Sequence, residues 1–104
     1  IWRGLPQVSH TCAARAGVVY LSKTVAVEWA EHRIRVNCLA PGTVQTDAFN
    51  YYSEAGRASF QQANPMKHAG DAPDISEAIT YLASDASKFI TGEVLDVNGG
   101  AWCD

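Results

Sequence analysis

Two hydroxyls, on Thr43 and Thr46, follow a proline–glycine pair at the end of the run Arg33-Ile-Arg-Val-Asn-Cys-Leu-Ala-Pro-Gly-Thr-Val-Gln-Thr46. Side chains of this type on a loop can hydrogen-bond the polar edge of a flat ligand. Gly42, just before them, has no side chain to hold a ligand off the backbone and can take positive φ. The run is apolar at Ile34, Val36, Cys38 and Leu39 and reads as a strand over Arg33–Ala40. It stops at Pro41-Gly42, because proline cannot donate to the next rung of a ladder. In an open parallel sheet, ligands bind just beyond the carboxyl ends of the strands. Pro41, Gly42, Thr43, Val44 and Thr46 are therefore candidate cofactor contacts.

A second group lies between Thr46 and Met66, where Phe49, Tyr51, Tyr52 and Phe60 stand among Asn50, Gln61, Gln62 and Asn64. Aromatics with polar neighbours in an inserted helical lobe suit a lid over a partly apolar substrate. Phe49, Tyr51 and Tyr52 are the candidate substrate contacts. The plainer alternative is that they pack the lobe onto the body or onto a partner subunit. His10 precedes a long helix, where it can reach a substrate oxygen or serve only in packing. The three cysteines, Cys12, Cys38 and Cys103, match no metal spacing and point to a reducing setting, with Cys38 a small core residue. No metal site is expected.

The elements that must position these groups follow from periodicity. Ile1 to His10 is irregular, with Gly4 and Pro6 as breakers. Ser9 is a candidate cap for a helix over Ala13–His32, and Ala14, Val18, Leu21, Val25 and Trp29 recur on it at three- and four-residue steps, which predicts one buried stripe. The near-continuous apolar strand after it fits a sheet covered on both faces. Pro65–Gly70 is a turn-rich return. The next helix is expected to start at Asp74 as N-cap, with Glu77 three residues on, and to bury Ile75, Ala78, Ile79 and Leu82. Thr91–Val97 reads as a short strand that ends at Asn98-Gly99-Gly100. The order helix, strand, lobe, helix, strand fits an α/β fold, half of a doubly wound parallel sheet. Residues 1–104 are expected to form part of one domain, with a substrate lobe at about 46–66.

RIRVNCLAPGTVQT resembles the sixth-strand segment of the short-chain dehydrogenase/reductase superfamily, "IRVN-x-x-x-PG-x-x-x-T", which packs against the nicotinamide half of NAD(P). Three further segments match in order: Ala13–His32 its fifth long helix, Asp74–Asp85 its sixth, and Phe89–Gly100 its last strand and double glycine. Within that superfamily, HTCAARAGV and AVEWA resemble the trans-2-enoyl-CoA and 2,4-dienoyl-CoA reductases. The resemblance implies that residues 1–104 are the C-terminal part of a Rossmann-like doubly wound parallel sheet in a single NAD(P)-binding domain, with NAD(P)(H) as cofactor and NADPH favoured.

The superfamily's long helix begins with a tyrosine and a lysine four residues later, on one helical face. The tyrosine exchanges a proton with the substrate oxygen. The lysine lowers the tyrosine pKa and binds the ribose. Aligning Thr24–Trp29 with the family's run puts Thr11 at the tyrosine position and Arg15 at the lysine position, so the resemblance assigns these two as the catalytic pair. Thr11 is a poor proton donor, while Arg15 keeps a fixed charge and a planar hydrogen-bonding fork. That departs from carbonyl–alcohol chemistry and suits reduction of a thioester-activated double bond, where donors stabilise charge on the thioester oxygen. Tyr20 and Lys23, three apart and two turns later, do not make the spacing; Lys23 reads as a solvated helix charge.

Composition sets the limits. The chain has 104 residues, 47% hydrophobic and 18% charged, with a net charge of −3. That is enough apolar content for a core, and no basic stripe marks a nucleic-acid surface. No apolar run approaches the roughly 18 residues that span a bilayer. The sequence begins at Ile1 without an initiator Met or a signal peptide. A fragment of a longer protein is therefore expected, with the glycine-rich turn and catalytic serine upstream, and this stretch alone inactive. The full protein is expected to be an intracellular, cytoplasmic enzyme (peroxisomal if eukaryotic) and a dimer or tetramer. Its expected substrate is a small molecule such as an acyl-CoA, with no nucleic-acid or membrane partner. Alternatives are an alcohol or aldehyde dehydrogenase acting on terpenoid or fatty substrates, and a non-catalytic remnant of the same fold.

Overall fold

Mostly helix-forming residues, with Gly17 the one breaker among them, run from Ser9 to Trp29 and form the 21-residue helix α1. The computed structural model describes residues 4–103, so Ile1 to Arg3 of the irregular opening lie outside the described residues. Ser9 is the first helical residue, not the cap. Val8 stands at the cap position and offers no side-chain hydrogen bond. The far end closes through a short 3-10 turn, Ala30–His32. Arg33 takes the left-handed region (φ 60°), its N–H donates to Ala30 O at 3.0 Å, and the Ile34 N–H donates to Trp29 O at 3.3 Å. This is a Schellman closure with arginine where glycine is usual, and it moves Arg33 from the expected strand to the helix terminus.

The chain divides into two compact units. The first runs through the described residues up to Cys38 and includes Lys88–Val94. Within it, one backbone bond, Gly92 N–H to Val36 O at 2.7 Å, and several side chains hold residues 35–37. Asn37 Nδ2 donates to Ile90 O at 3.1 Å, its Oδ1 accepts from Glu93 N at 3.0 Å, and the Val36 N–H donates to Thr91 Oγ1 at 3.1 Å. The covered side of α1 carries Val19 (8% exposed) and Ala26 (1%), while Val18 and Leu21 are 59% and 63% exposed. The stripe expected over Ala14, Val18, Leu21, Val25 and Trp29 is thus not the buried one. Ala26 is buried because Gly92 (φ +73°) approaches it closely: a Cβ on Gly92 would lie 3.6 Å from the Ala26 Cβ.

Strands β1 (Cys38–Pro41) and β2 (Val94–Val97) form a two-stranded sheet. The Cys38 N–H donates to Glu93 O at 2.8 Å and the Gly42 N–H to Val97 O at 2.9 Å, so the strands advance in parallel. This is the expected α/β architecture. Cys38 is half-buried rather than a core residue.

The second unit holds Leu39–Ser87 and the chain from Leu95 on. A 3-10 helix, Asp47–Tyr51, leads to helix α2 (Glu54–Gln62), capped by Ser53 Oγ, which accepts from Gly56 N at 3.1 Å. Helix α3 spans Ala72–Ala83. Its N-cap is Asp71, not Asp74: Asp71 Oδ1 accepts from Asp74 N at 3.1 Å, and Asp74 Oδ2 accepts from Asp71 N at 2.8 Å. Pro73 fits the first turn, where its missing N–H costs nothing. Of the expected apolar face, Ile79 is 54% exposed, while Ile75, Ala78 and Leu82 are partly covered. Ser87 closes the far end. It is fully buried, and its Oγ lies 2.8, 2.9 and 3.1 Å from the carbonyls of Tyr81, Leu82 and Ser84.

Candidate functional site

The loop after β1 is fixed on both sides by backbone. Val44 and Gly70 form an isolated parallel bridge. The Gly70 N–H donates to Thr43 O at 3.0 Å and the Gln45 N–H to Gly70 O at 2.8 Å. In a parallel bridge the bonded residue exchanges with the neighbours of its partner, so the N–H and C=O of Val44 itself point away from Gly70. That leaves an amide edge at the carboxyl end of a parallel strand, the place where such sheets bind ligands.

Gly42 is required for a reason other than ligand approach. A Cβ there would lie 2.7 Å from Asn98 Cα and 2.8 Å from Asn98 Cβ, and its φ is not positive. The turn after β2 therefore packs against the turn after β1. Asn98 Oδ1 accepts from Gly100 N at 2.9 Å and Nδ2 donates to Trp102 O at 3.0 Å. Gly99 (φ +61°) faces Asn64, and Gly100 (φ +80°) faces Pro65. Asn64 is 4% exposed; its Nδ2 donates to His68 O at 2.8 Å, and its buried Oδ1 has no hydrogen-bond partner. A Cβ on Gly99 would lie 2.8 Å from that oxygen, so only glycine fits beside it.

An open groove of about 250 Å³ is lined by Thr43, Val44, Thr46, Ala48, Phe49, Tyr52 and Phe60, with no charged side chain. Phe49 is its buried anchor at 5% exposed, and Tyr52 meets Phe60 edge-to-face at 4.8 Å. A neighbouring cavity of about 170 Å³ shares Thr43 and Val44. Among the sequence-predicted residues, the second unit thus brings Thr43, Val44, Thr46, Phe49 and Tyr52 together. Thr46 is exposed beside the groove, Pro41 is exposed at the strand end, and Tyr51, 91% exposed, does not line the groove.

In the first unit, Thr11 is partly covered and Arg15 exposed, one turn apart near the start of α1. His10 lies inside the first turn of α1 rather than before it and is exposed, as is Lys23. Among the described residues, no cluster of His, Cys, Asp and Glu could hold a metal ion, and no helix is long and apolar enough to cross a membrane.

The sequence profile of the family described as Enoyl-(Acyl carrier protein) reductase matches residues 2–101. The chain belongs to the short-chain dehydrogenase/reductase family. An uncharacterized short-chain type dehydrogenase/reductase of Sinorhizobium fredii is 45% identical over 88% of this chain and 36% of its own length. The 3-oxoacyl-(acyl-carrier-protein) reductase FabG of Haemophilus influenzae is 41% identical over 95% of this chain and 41% of its own. FabG of Salmonella typhimurium is 42% identical over 90% and 38%. The chain spans about two fifths of the length of these curated relatives. The family expectation drawn from the four matching segments is met. The narrower likeness to enoyl-CoA reductases is not what these relatives carry, since two of the three are 3-oxoacyl reductases by name.

Sequence reasoning missed Gly70 and the Asp71–Asp74 pair as supports of the loop. A glycine directly before Asp-x-Pro was the available signal, because proline in a first turn places the cap just ahead of it. It also missed Ala48 in the groove wall, which no residue-type rule singles out.

Proposed function

We propose that this chain forms the nicotinamide-side wall and the substrate lobe of an NAD(P)(H)-dependent reductase that acts on a thioester-activated carbon–carbon double bond. The observation that carries the reading is the Thr11–Arg15 pair on the first turns of α1, where the family's carbonyl-reducing pattern has tyrosine and lysine. The residues of the second unit fit a nicotinamide group: Val44 presents a free amide edge, with the hydroxyl residues Thr43 and Thr46 beside it. The bound cofactor supplies hydride.

Pro41 and Gly42 end the strand so that Thr43–Thr46 leaves it as a fixed loop. Thr43, Val44 and Thr46 bind and orient the cofactor. Phe49 and Tyr52, backed by Phe60, hold the apolar part of the substrate and exclude water from the uncharged groove. The Thr11 hydroxyl can donate a hydrogen bond to a thioester oxygen but cannot act as an acid near neutral pH. Arg15 holds fixed positive charge for the ribose and for negative charge that develops on that oxygen. NADPH is the preferred cofactor, an acyl thioester the substrate, and the working form a cytoplasmic dimer or tetramer.

A second reading, reduction of 3-oxoacyl thioesters, is favoured by the names of the FabG relatives. Purified intact protein assayed with NADPH on paired 2-enoyl and 3-oxoacyl thioesters separates the two. Faster turnover of the enoyl substrate is expected. Turnover of the 3-oxoacyl substrate alone would overturn the first reading in favour of the second, and turnover of neither would leave a non-catalytic member of the family.

A further inference from the structure

The free amide edge of Val44 exists because something holds the other edge of the loop. That support is one residue deep: Gly70 uses both its N–H and its C=O, to Thr43 O at 3.0 Å and from Gln45 N at 2.8 Å. No regular strand continues the bridge on either side. An isolated bridge of this kind has no cooperative neighbours to restore it once opened. Its geometry therefore depends on what anchors Gly70.

The anchor is the first turn of α3. Gly70 precedes the N-cap Asp71 directly, and the capping box ties Asp71 to Asp74 through two hydrogen bonds, at 2.8 and 3.1 Å. The Asp74 carboxylate also closes the space over Gly70. A Cβ on residue 70 would lie 3.2 Å from Asp74 Oδ2 and 3.8 Å from Thr43 O. The same oxygen accepts the Asp71 N–H, so it cannot retreat from a side chain at 70 without loosening the cap.

We infer that Gly70 and the Asp71–Asp74 capping box are positioning residues for the cofactor: they fix the Thr43–Gln45 backbone through the Val44–Gly70 bridge. The inference rests on the proposed contact between this loop and the nicotinamide cofactor. Gly70→Ala displaces the Asp74 carboxylate or the residue-70 peptide by a few tenths of an ångström. Asp74→Ala removes one half of the box, while Asp74→Asn keeps an oxygen that can accept from Asp71 N.

The test uses the intact protein, with NADH and NADPH each titrated by fluorescence and deuterium uptake followed over residues 43–46. Misplacement on this scale is expected to raise the cofactor Kd about tenfold in Gly70→Ala and in Asp74→Ala. Both variants should speed exchange in the 43–46 segment, and the double variant should be little worse than either single one, because the two act along one path. Asp74→Asn should recover most of the affinity lost in Asp74→Ala, and turnover at saturating cofactor should fall much less than affinity. Faster exchange with an unchanged Kd, while Thr46→Ala weakens binding, would overturn the inference and leave the cofactor assignment standing. Unchanged exchange in Gly70→Ala and Asp74→Ala would overturn it as well. If Thr46→Ala and Gly70→Ala both leave Kd unchanged, the cofactor assignment of the loop fails and the inference falls with it.

Discussion

Replacing Gly42 by alanine isolates the contact between the two turns at the carboxyl end of the sheet. The new Cβ would lie 2.7 Å from Asn98 Cα and 2.8 Å from Asn98 Cβ, about 1 Å inside an ordinary carbon–carbon contact. The closer of these atoms belongs to the backbone, so no rotamer change relieves the clash. Overpacking of this kind costs about 1–3 kcal/mol. Relief by parting the turns also stretches the Gly42 N–H bond to Val97 O, now 2.9 Å, at about 0.5–1.5 kcal/mol. Together the loss should be about 2–4 kcal/mol. Urea unfolding of the intact protein should show it as a midpoint lowered by roughly 1–2 M at an ordinary slope. Adding Asn98→Gly removes the contact at 2.8 Å but not the one at 2.7 Å, so the double variant should recover only part of the loss. A Gly42→Ala protein within about 0.5 kcal/mol of the parent, or full rescue by Asn98→Gly, would refute the backbone origin of the constraint.

Three further outcomes are expected. Ser87→Ala removes the buried hydroxyl that meets three carbonyls at the end of α3, and should cost about 1–2 kcal/mol in the same unfolding assay. Phe60→Ala removes the edge-to-face partner of Tyr52, worth about 0.5–1.5 kcal/mol beyond buried area; it should also shift the preference of the intact enzyme toward bulkier acyl groups, read as the ratio of kcat/KM for short and long thioesters. Thr11→Tyr combined with Arg15→Lys installs the family's proton-transfer pair and should raise turnover of a 3-oxoacyl thioester at least about tenfold, measured by cofactor oxidation.

The order of elements was legible because each carries its own local signal: a long apolar-rich helical run, a strand stopped by proline and glycine, an Asp-x-Pro helix start, a double glycine after the last strand. The phase of α1 was not. Val18, Val19, Tyr20, Leu21, Val25, Ala26, Val27 and Trp29 leave hardly any polar face over those turns, so periodicity alone cannot choose among stripes. The choice falls on Ala26, which is small enough for the Gly92 backbone to approach, and a search for bulky apolar residues passes over it. The cap of α3 was misplaced because Asp71 and Asp74 both look like caps, and only Pro73 between them decides. Thr43, Thr46, Phe49, Tyr52 and Phe60, which line one groove, could be picked out from residue type and place. Gly42 was singled out by its type, but its packing against Asn98 was not legible: which atoms fill the space over a glycine depends on a turn more than fifty residues away, and no local pattern encodes that.

Asn98 also sets how the molecule ages. Asparagine followed by glycine is open to attack by the Gly99 nitrogen on its own Cγ, which expels ammonia and closes a succinimide that water reopens to aspartate or isoaspartate. In this fold Nδ2 is held by Trp102 O and Oδ1 by Gly100 N, so the amide must leave both partners before the ring can close. Deamidation is thereby gated by opening of the terminal turn. Its rate in stored protein, followed by peptide mass, should be far slower than in the unfolded chain and should rise in step with any variant that loosens the turn. The dipeptide works as a slow chemical clock for that motion.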